Sequence, residues 1–270
     1  YMLEMRPRLA YGIYTGIAVE FLDHSRRRIG GRPTRNGGAT MRTVADFAQH
    51  FDLALHQQDA TKEVILGYCD VAREKKVSAF YTNPYWSPLV AQELKGSGVR
   101  AGGALGFPFG AYLTDTKLLE TERLLEAGCT TMDMVINIGE LKAGNWKMVS
   151  EEIEAFTALC HQAGAWAKII FEVCFLTQEE IARLTRICCE AGVEFVKTAT
   201  GQEGFPDLQD VETMQANLSG TTKIKVSGVP RTFSMAAALF LFDNYDVALI
   251  GTRSAGKIVD QYARFLENHS

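Results

Sequence analysis

The 270-residue sequence predicts an α/β fold, a (β/α)8 TIM barrel with an N-terminal helical or irregular extension. From residue 46 onward, short apolar runs typical of buried strands alternate eight times with segments that have a 3.6-residue apolar period. Polar residues gather where several of these strands end, and no G-x-G-x-x-G follows the first strand. An open, doubly wound sheet would also alternate strands with helices, but the count of eight and the polar strand ends favour the closed barrel.

The strands are predicted where runs rich in Val, Ile, Phe and Met stand between turn residues. They lie near residues 51–55, 77–82, 100–105, 131–136, 168–173, 194–198, 223–227 and 247–251. The helices between them are predicted near residues 61–75, 87–95, 114–127, 146–163, 178–191, 207–217, 232–244 and 254–268. Thr177 stands where the fifth helix begins, and Ala-Gly pairs such as Ala191-Gly192 end three helices, as helix caps do.

Residues 1–45 are interpreted as an extension outside a barrel domain at 46–270. Glycines at 30–31 and 37–38 indicate a flexible connection before the regular pattern begins. The extension holds eight arginines and no lysine, whereas the whole chain has a net charge of −4. An arginine-rich arm beside an acidic barrel favours contact between subunits, so we expect a homo-oligomer, a dimer or larger.

Composition narrows the classes of partner and compartment. The chain is 47% hydrophobic and 22% charged, with a small negative net charge, so we expect neither nucleic-acid nor membrane binding. The six cysteines have no C-x-x-C spacing, which favours a reducing cytoplasm over a disulfide framework or a zinc site. The partner that we expect is a small molecule.

Two lysines carry the strongest chemical signal. Lys197 lies in the run EFVKTATG at 194–201 and Lys225 in IKVSG at 224–228, each where a buried strand passes into small or hydroxyl residues. Burial disfavours a charged amine, and a second ammonium nearby disfavours it further, so such a pair is suited to attack on a carbonyl. Alternatively, both side chains reach solvent at the strand ends.

Four motifs, in this order and spacing, resemble the deoxyribose-phosphate aldolase family over roughly residues 50–260. They are LGFPFG at 105–110, MDMVINIG at 132–139, FVKTATG at 195–201 and KVSG at 225–228. The resemblance implies a class I aldolase of carbohydrate catabolism on a (β/α)8 barrel, needing neither metal nor cofactor. Its reaction would be the reversible cleavage of 2-deoxy-D-ribose 5-phosphate to glyceraldehyde 3-phosphate and acetaldehyde.

The resemblance also implies roles for four residues. Lys197 matches the lysine that forms the Schiff base, and Lys225 matches the second lysine, which lowers the pKa of the first and supports proton transfer. Asp133 matches the acid of the proton relay, and Lys168 matches a buried lysine that pairs with this acid. A free lysine has a pKa near 10.4. A second ammonium about 4–5 Å away opposes its charge by on the order of 3–4 kcal/mol, which would leave much more of it neutral.

The resemblance further implies a substrate and phosphate site, with which this chain agrees only in part. Val229 and Pro230 stand where the family has a second glycine and an isoleucine or valine, so one backbone N–H is lost at Pro230. Arg253 replaces a serine and either rebuilds an anion site or points to solvent. The candidate binding residues are Thr200, Gly201, Gly228, Val229, Gly251, Arg253, Ser254 and Asp52.

Because of these departures, the alternative that the chain is a related class I aldolase with a non-phosphorylated or carboxylated substrate stays open. On the second strand, Tyr81 replaces a residue that is a cysteine in several family members. With Tyr85 and Trp86 it either narrows the acceptor pocket or packs under a loop.

Three rival classes of protein are weaker candidates. A metal-dependent enzyme would need H-x-H or H-x-x-x-H spacing and an oxidoreductase would need the dinucleotide fingerprint, and this chain has neither. A non-catalytic barrel that binds an anion would have no need of both lysines and the aspartate.

Overall fold

The computed structural model describes residues 43–269, and this part of the chain forms a closed barrel of eight parallel strands. Each strand pairs with the next in sequence, and β8 closes the barrel by pairing with β1. The predicted (β/α)8 fold is therefore confirmed. The predicted extension lies, up to residue 42, outside the described residues. The strands are β1 Phe51–Leu55, β2 Ala79–Thr82, β3 Arg100–Leu105, β4 Thr131–Val135, β5 Trp166–Ile170, β6 Phe195–Lys197, β7 Lys223–Ser227 and β8 Val247–Thr252.

The α-helices lie between the strands and at the two ends of the described chain. They are α1 Val44–Ala48, α2 Lys62–Lys75, α3 Ser87–Leu94, α4 Thr114–Glu126, α5 Ile138–Lys142, α6 Trp146–Gln162, α7 Gln178–Ala191, α8 Leu208–Asn217, α9 Met235–Asn244 and α10 Ala255–His269. Short 3-10 helices follow β2 at Pro84–Trp86 and β5 at Val173–Phe175. The predicted caps of the fifth helix are present in α7, where Thr177 and Glu180 form a capping box and Gly192 ends the helix at φ 77°.

Two differences from the predicted boundaries have a physical cause in the structure. The fifth strand begins at Trp166, two residues early, and ends at Ile170 instead of residue 173, because Glu172 adopts a left-handed conformation with φ 54°. The regular structure begins at α1, before residue 46, because Thr43 caps this helix by accepting a hydrogen bond from the Asp46 amide. The helix is part of the barrel's packing, since the ring of Phe47 in α1 stacks on Tyr262 of α10 at 4.1 Å.

Alternation along the strands separates two layers of side chains. Phe80 faces outward and its ring stacks on Tyr68 of α2 at 5.9 Å, whereas the next residue, Tyr81, faces the barrel interior. The outward layer is apolar and packs against the helices. The inward layer carries several buried charges at its centre, and these lie below the ends of the strands where active sites form in such barrels. None of the helices within residues 43–269 has the length and apolar character to cross a bilayer.

Candidate active site

The two lysines predicted to converge do so on one carboxylate oxygen. Lys197 ends β6, and its register partner on β7 is Lys225. Lys197 Nζ donates to Asp133 Oδ2 at 2.7 Å, and Lys225 Nζ donates to the same oxygen at 2.8 Å. The two nitrogens are therefore no more than 5.5 Å apart. The alternative that both side chains reach solvent is wrong.

A second carboxylate completes this arrangement, and it corrects two expectations. Lys168 bonds Asp52 Oδ2 at 2.8 Å, and Lys225 reaches the same oxygen at 2.7 Å. Lys168 was expected to pair with Asp133, its register partner on the adjacent strand, but its long side chain extends across the interior from β5 to β1. Asp52 was expected among the substrate and phosphate ligands, but it is fully buried between two lysines.

These five side chains, Asp52, Asp133, Lys168, Lys197 and Lys225, form the lysine–carboxylate cluster. Three amines share two carboxylates at the centre of the barrel, so two ammonium groups balance the negative charge and the third amine has no carboxylate of its own. A buried site disfavours net charge, which favours one neutral amine. Access distinguishes the three, because the side chain of Lys197 is 8% exposed, against 2% for Lys225 and 0% for Lys168.

The electrostatics of the cluster assign the charges. Burial lowers the pKa of Lys197, and the ammonium of Lys225 lowers it further against the opposing attraction of Asp133. Burial also acts on Lys225, but attraction to Asp133 and Asp52 outweighs it and raises the pKa of Lys225. Burial lowers the pKa of Lys168 to about 8. Burial by itself raises the pKa of Asp133. Attraction to Lys197 and Lys225 outweighs burial and holds this pKa below its usual range, so the carboxylate stays ionised. Burial is a larger cause of the lowered pKa of Lys197 than the ammonium of Lys225.

Glycines bring together two of the loops predicted to bind the phosphate. Gly201 and Gly228 have φ of 84° and 75°, conformations that disfavour residues with a side chain. A Cβ on Gly201 would lie 2.9 Å from the Cα of Gly228, so the two loops touch. Gly251 lies beside them, because its Cβ would be 3.0 Å from Ser227 Cβ and 3.1 Å from Lys225 Cε.

The other predicted anion-site residues are placed less closely. Ser254 immediately precedes α10, and its carbonyl accepts from Ile258 in the first turn of that helix. Val229 is half-buried against the apolar core, and Arg253 is exposed. Thr200 is fixed by Glu172, whose Oε2 accepts a hydrogen bond from the Thr200 amide at 3.1 Å.

Three residues at or near the site have environments that the sequence did not predict. Tyr81 lies inside the barrel, with Lys225 Nζ 4.1 Å from its ring centre, whereas Tyr85 is exposed. Glu172 is buried under the loop after β6.

His56 follows β1 and stacks on Phe107 at 4.2 Å, and its Nδ1 is buried with no hydrogen-bond partner among the described residues. Burial, and after it Lys197, lowers the pKa of His56 to about 3, so its ring is neutral at pH 7. The only signal for Tyr81 was its departure from the family pattern, and neither His56 nor Glu172 was among the residues to which the sequence analysis gave a role.

Residues 43–269 contain no group of three His, Cys, Asp or Glu side chains that is placed to hold a metal ion. The fold and the cluster together define a (β/α)8 barrel with a buried amine suited to attack on a carbonyl, and comparison with known proteins gives its class. The chain belongs to the DeoC/LacD family of aldolases, whose profile matches residues 46–238. It is an aldolase, and the resemblance read from its four motifs is confirmed.

The relatives are similar over most of the chain. The deoxyribose-phosphate aldolase of Thermococcus gammatolerans is 36% identical over 218 residues, which cover 80% of this chain and 96% of that protein. That of Treponema denticola is 36% identical over 188 residues, covering 69% of this chain and 87% of the relative. The solved structure of a tetrameric deoxyribose phosphate aldolase from Aeropyrum pernix has a TM-score of 0.73 at 24% identity, covering 83% of this chain and 93% of that chain, and this likeness concerns the fold.

Proposed function

We propose that this aldolase cleaves 2-deoxy-D-ribose 5-phosphate reversibly to glyceraldehyde 3-phosphate and acetaldehyde through a Schiff base on Lys197. The observation that carries the proposal is the single Asp133 oxygen shared by Lys197 and Lys225. In that arrangement one amine stays neutral while its neighbour stays charged, as imine formation requires. The names of the relatives over most of the chain support the choice of substrate.

The first step is attack of the neutral Lys197 amine on C1 of the open-chain sugar. The resulting carbinolamine loses its hydroxyl as water, and the ammonium of Lys225 is the nearby donor of the proton that leaves with it. The iminium then carries one positive charge while Lys225 becomes neutral, so the charge of the buried cluster is unchanged. Asp133 remains a carboxylate and stabilises the iminium from hydrogen-bond distance.

The iminium draws the electron pair of the C2–C3 bond toward itself. That bond breaks as the C3 hydroxyl passes its proton to the neutral amine of Lys225, and C3 becomes the aldehyde carbon of glyceraldehyde 3-phosphate. The electron pair remains on the enamine at C1 and C2, which takes a proton at C2 from the Lys225 ammonium. Water then hydrolyses the iminium to acetaldehyde and free Lys197, and the proton released in this step returns to Lys225. Proton transfers at the carbinolamine are the task of Lys225 and Asp133, and Lys168 keeps Asp52 in place beside Lys225.

The phosphate is proposed to bind the backbone amides of the glycine loops beside Gly201, Gly228 and Gly251, with Ser254 at the start of α10. Val229 contributes its backbone amide, Thr200 lines the loop while its own amide bonds Glu172, and Arg253 supplies a charge in place of the amide lost at Pro230. Val229 and Pro230 are the specific observation that favours a second candidate, a non-phosphorylated or carboxylated substrate for the same Schiff-base chemistry.

Reduction of an acetaldehyde adduct with borohydride tests the nucleophile. We expect mass spectrometry to find the ethyl group on Lys197 and expect Lys197→Ala to lose both label and activity. Retained activity in that variant, or a label confined to other lysines, would overturn the proposal. The substrate is decided by comparing retro-aldol rates on 2-deoxyribose 5-phosphate, on 2-deoxyribose and on a carboxylated analogue. A preference for either of the last two would refute the phosphorylated sugar as the substrate.

We also propose that the enzyme works without metal or cofactor in the carbohydrate catabolism of the cytoplasm, and that it assembles as a homo-oligomer. The six cysteines, none of them paired in a disulfide, support a reducing compartment. Full activity in a chelator is the expected result for metal independence. Light scattering of the full chain beside a chain that begins at residue 43 tests assembly, and an unchanged mass would mean that the arginine-rich arm is not its cause.

A further inference from the structure

Tyr81 is a large aromatic side chain placed directly against the charged cluster. This residue of β2 is 2% exposed, and its ring lies inside the barrel. Lys225 Nζ is 4.1 Å from the ring centre and Lys168 Nζ is 5.2 Å from it. A cation over the face of an aromatic ring is attracted by the ring's quadrupole, and the attraction grows where water is excluded.

Two neighbours fix the ring in this position. The hydroxyl of Tyr81 shares a 2.7 Å hydrogen bond with Thr131 Oγ1 on β4, and both residues are buried. On the strand between them, a Cβ on Gly102 would lie 2.4 Å from a carbon of the Tyr81 ring. Gly102 therefore provides the room that the ring occupies, and Thr131 holds its outer end.

We propose that Tyr81 is a positioning residue that keeps Lys225 protonated and seated between Asp52 and Asp133, and that it thereby maintains the neutral amine of Lys197. The inference rests on the proposed Schiff-base function. Lys225 meets two carboxylate oxygens, at 2.7 and 2.8 Å, and the ring contacts the same ammonium at 4.1 Å. Without the ring, this contact of the ammonium would be lost, and its proton would be released at lower pH.

The other charged and titratable groups around Lys225 come from several strands. Asp52 and Asp133 stabilise its charge, whereas Lys168 and Lys197 oppose it. His56, above the cluster, is neutral at pH 7. β8 contributes Gly251 at this level, which has no side chain. Because all of these remain in a Tyr81 variant, a change in the protonation of Lys225 reports on the ring.

The test is the pH profile of acetaldehyde trapping by the full chain with cyanoborohydride. Its acid limb reports loss of the proton from Lys197, and its alkaline limb reports loss of the proton that Lys225 donates. Three variants are compared with the natural enzyme. Tyr81→Leu removes the ring, Tyr81→Phe keeps the ring and removes the hydroxyl, and Phe80→Leu removes a buried ring from the same strand on the opposite face. Tyr81→Met replaces Tyr81→Leu if the leucine variant does not fold.

We expect the alkaline limb of Tyr81→Leu to move down by on the order of one pH unit. The profiles of Tyr81→Phe and Phe80→Leu should keep the natural midpoint even where their rates fall. An unmoved alkaline limb in the ring-less variant, or an equal shift in Phe80→Leu, would overturn the role of Tyr81. A natural enzyme that cannot be labelled at Lys197 would instead overturn the proposed function, so the two failures are distinct.

Discussion

Replacing Lys225 with methionine isolates the effect of the second ammonium on the first. The substitution keeps a long, unbranched side chain, and it leaves each buried carboxylate with one lysine, because Asp133 retains Lys197 and Asp52 retains Lys168. The two amines of the natural enzyme lie within 5.5 Å of each other. At an effective dielectric near 20, two charges at that distance repel by about 3 kcal/mol, which corresponds to about two pH units.

The acid limb of the trapping profile measures this effect. Only the neutral amine attacks acetaldehyde, so a raised pKa of Lys197 moves the limb upward. In Lys225→Met we expect the midpoint to rise by about two pH units, and the rate at a pH below both midpoints to fall on the order of 100-fold. Raising the pH should restore the neutral amine, although loss of the proton donor still limits the maximum rate.

The matched control is Lys168→Met, which removes a lysine of the same cluster without touching Asp133. Among the carboxylates of residues 43–269, Lys168 bonds only Asp52, and Asp52 retains Lys225. Its acid midpoint should stay within about half a unit of the natural value. If both variants show the natural midpoint, burial alone sets the pKa of Lys197, and the ammonium of Lys225 does not lower it.

Three further outcomes are expected. Asp133→Asn should lower kcat for retro-aldol cleavage at least about 100-fold, because proton transfer and iminium stabilisation both lose the carboxylate; a loss under tenfold contradicts its role. Lys117→Met should lower the free energy of unfolding in urea by about 3–5 kcal/mol, because Glu152, 2.8 Å from Lys117 Nζ, is left buried without its cation. Part of that stability should return in the double variant with Glu152→Gln, and no recovery would show that packing rather than charge is lost. Gly201→Ala should raise KM for the phosphorylated sugar and spare the unphosphorylated one, since its Cβ would press on Gly228; equal effects on both sugars place the loop away from the phosphate.

Much of the fold follows from local patterns. The sequence contains a strand and a helix in alternation, and each strand is bounded by turn residues, so seven of the eight predicted strands match within two residues at each end. The exception is β5, where Glu172 takes a left-handed conformation that its residue type does not reveal. The motifs that contain Lys197 and Lys225 lie on adjacent strands, so the convergence of the two lysines follows once the barrel is predicted.

The pairings inside the barrel are different. Lys168 and Asp52 are 116 residues apart and lie on strands that are not neighbours, and only closure of the barrel brings their side chains together. The position of Tyr81 depends in the same way on the space left by Gly102. Local sequence determines which residues form strands and which side chains face inward. The partners of those side chains, and hence which buried amine carries charge, depend on distances across the interior, which only the tertiary structure sets.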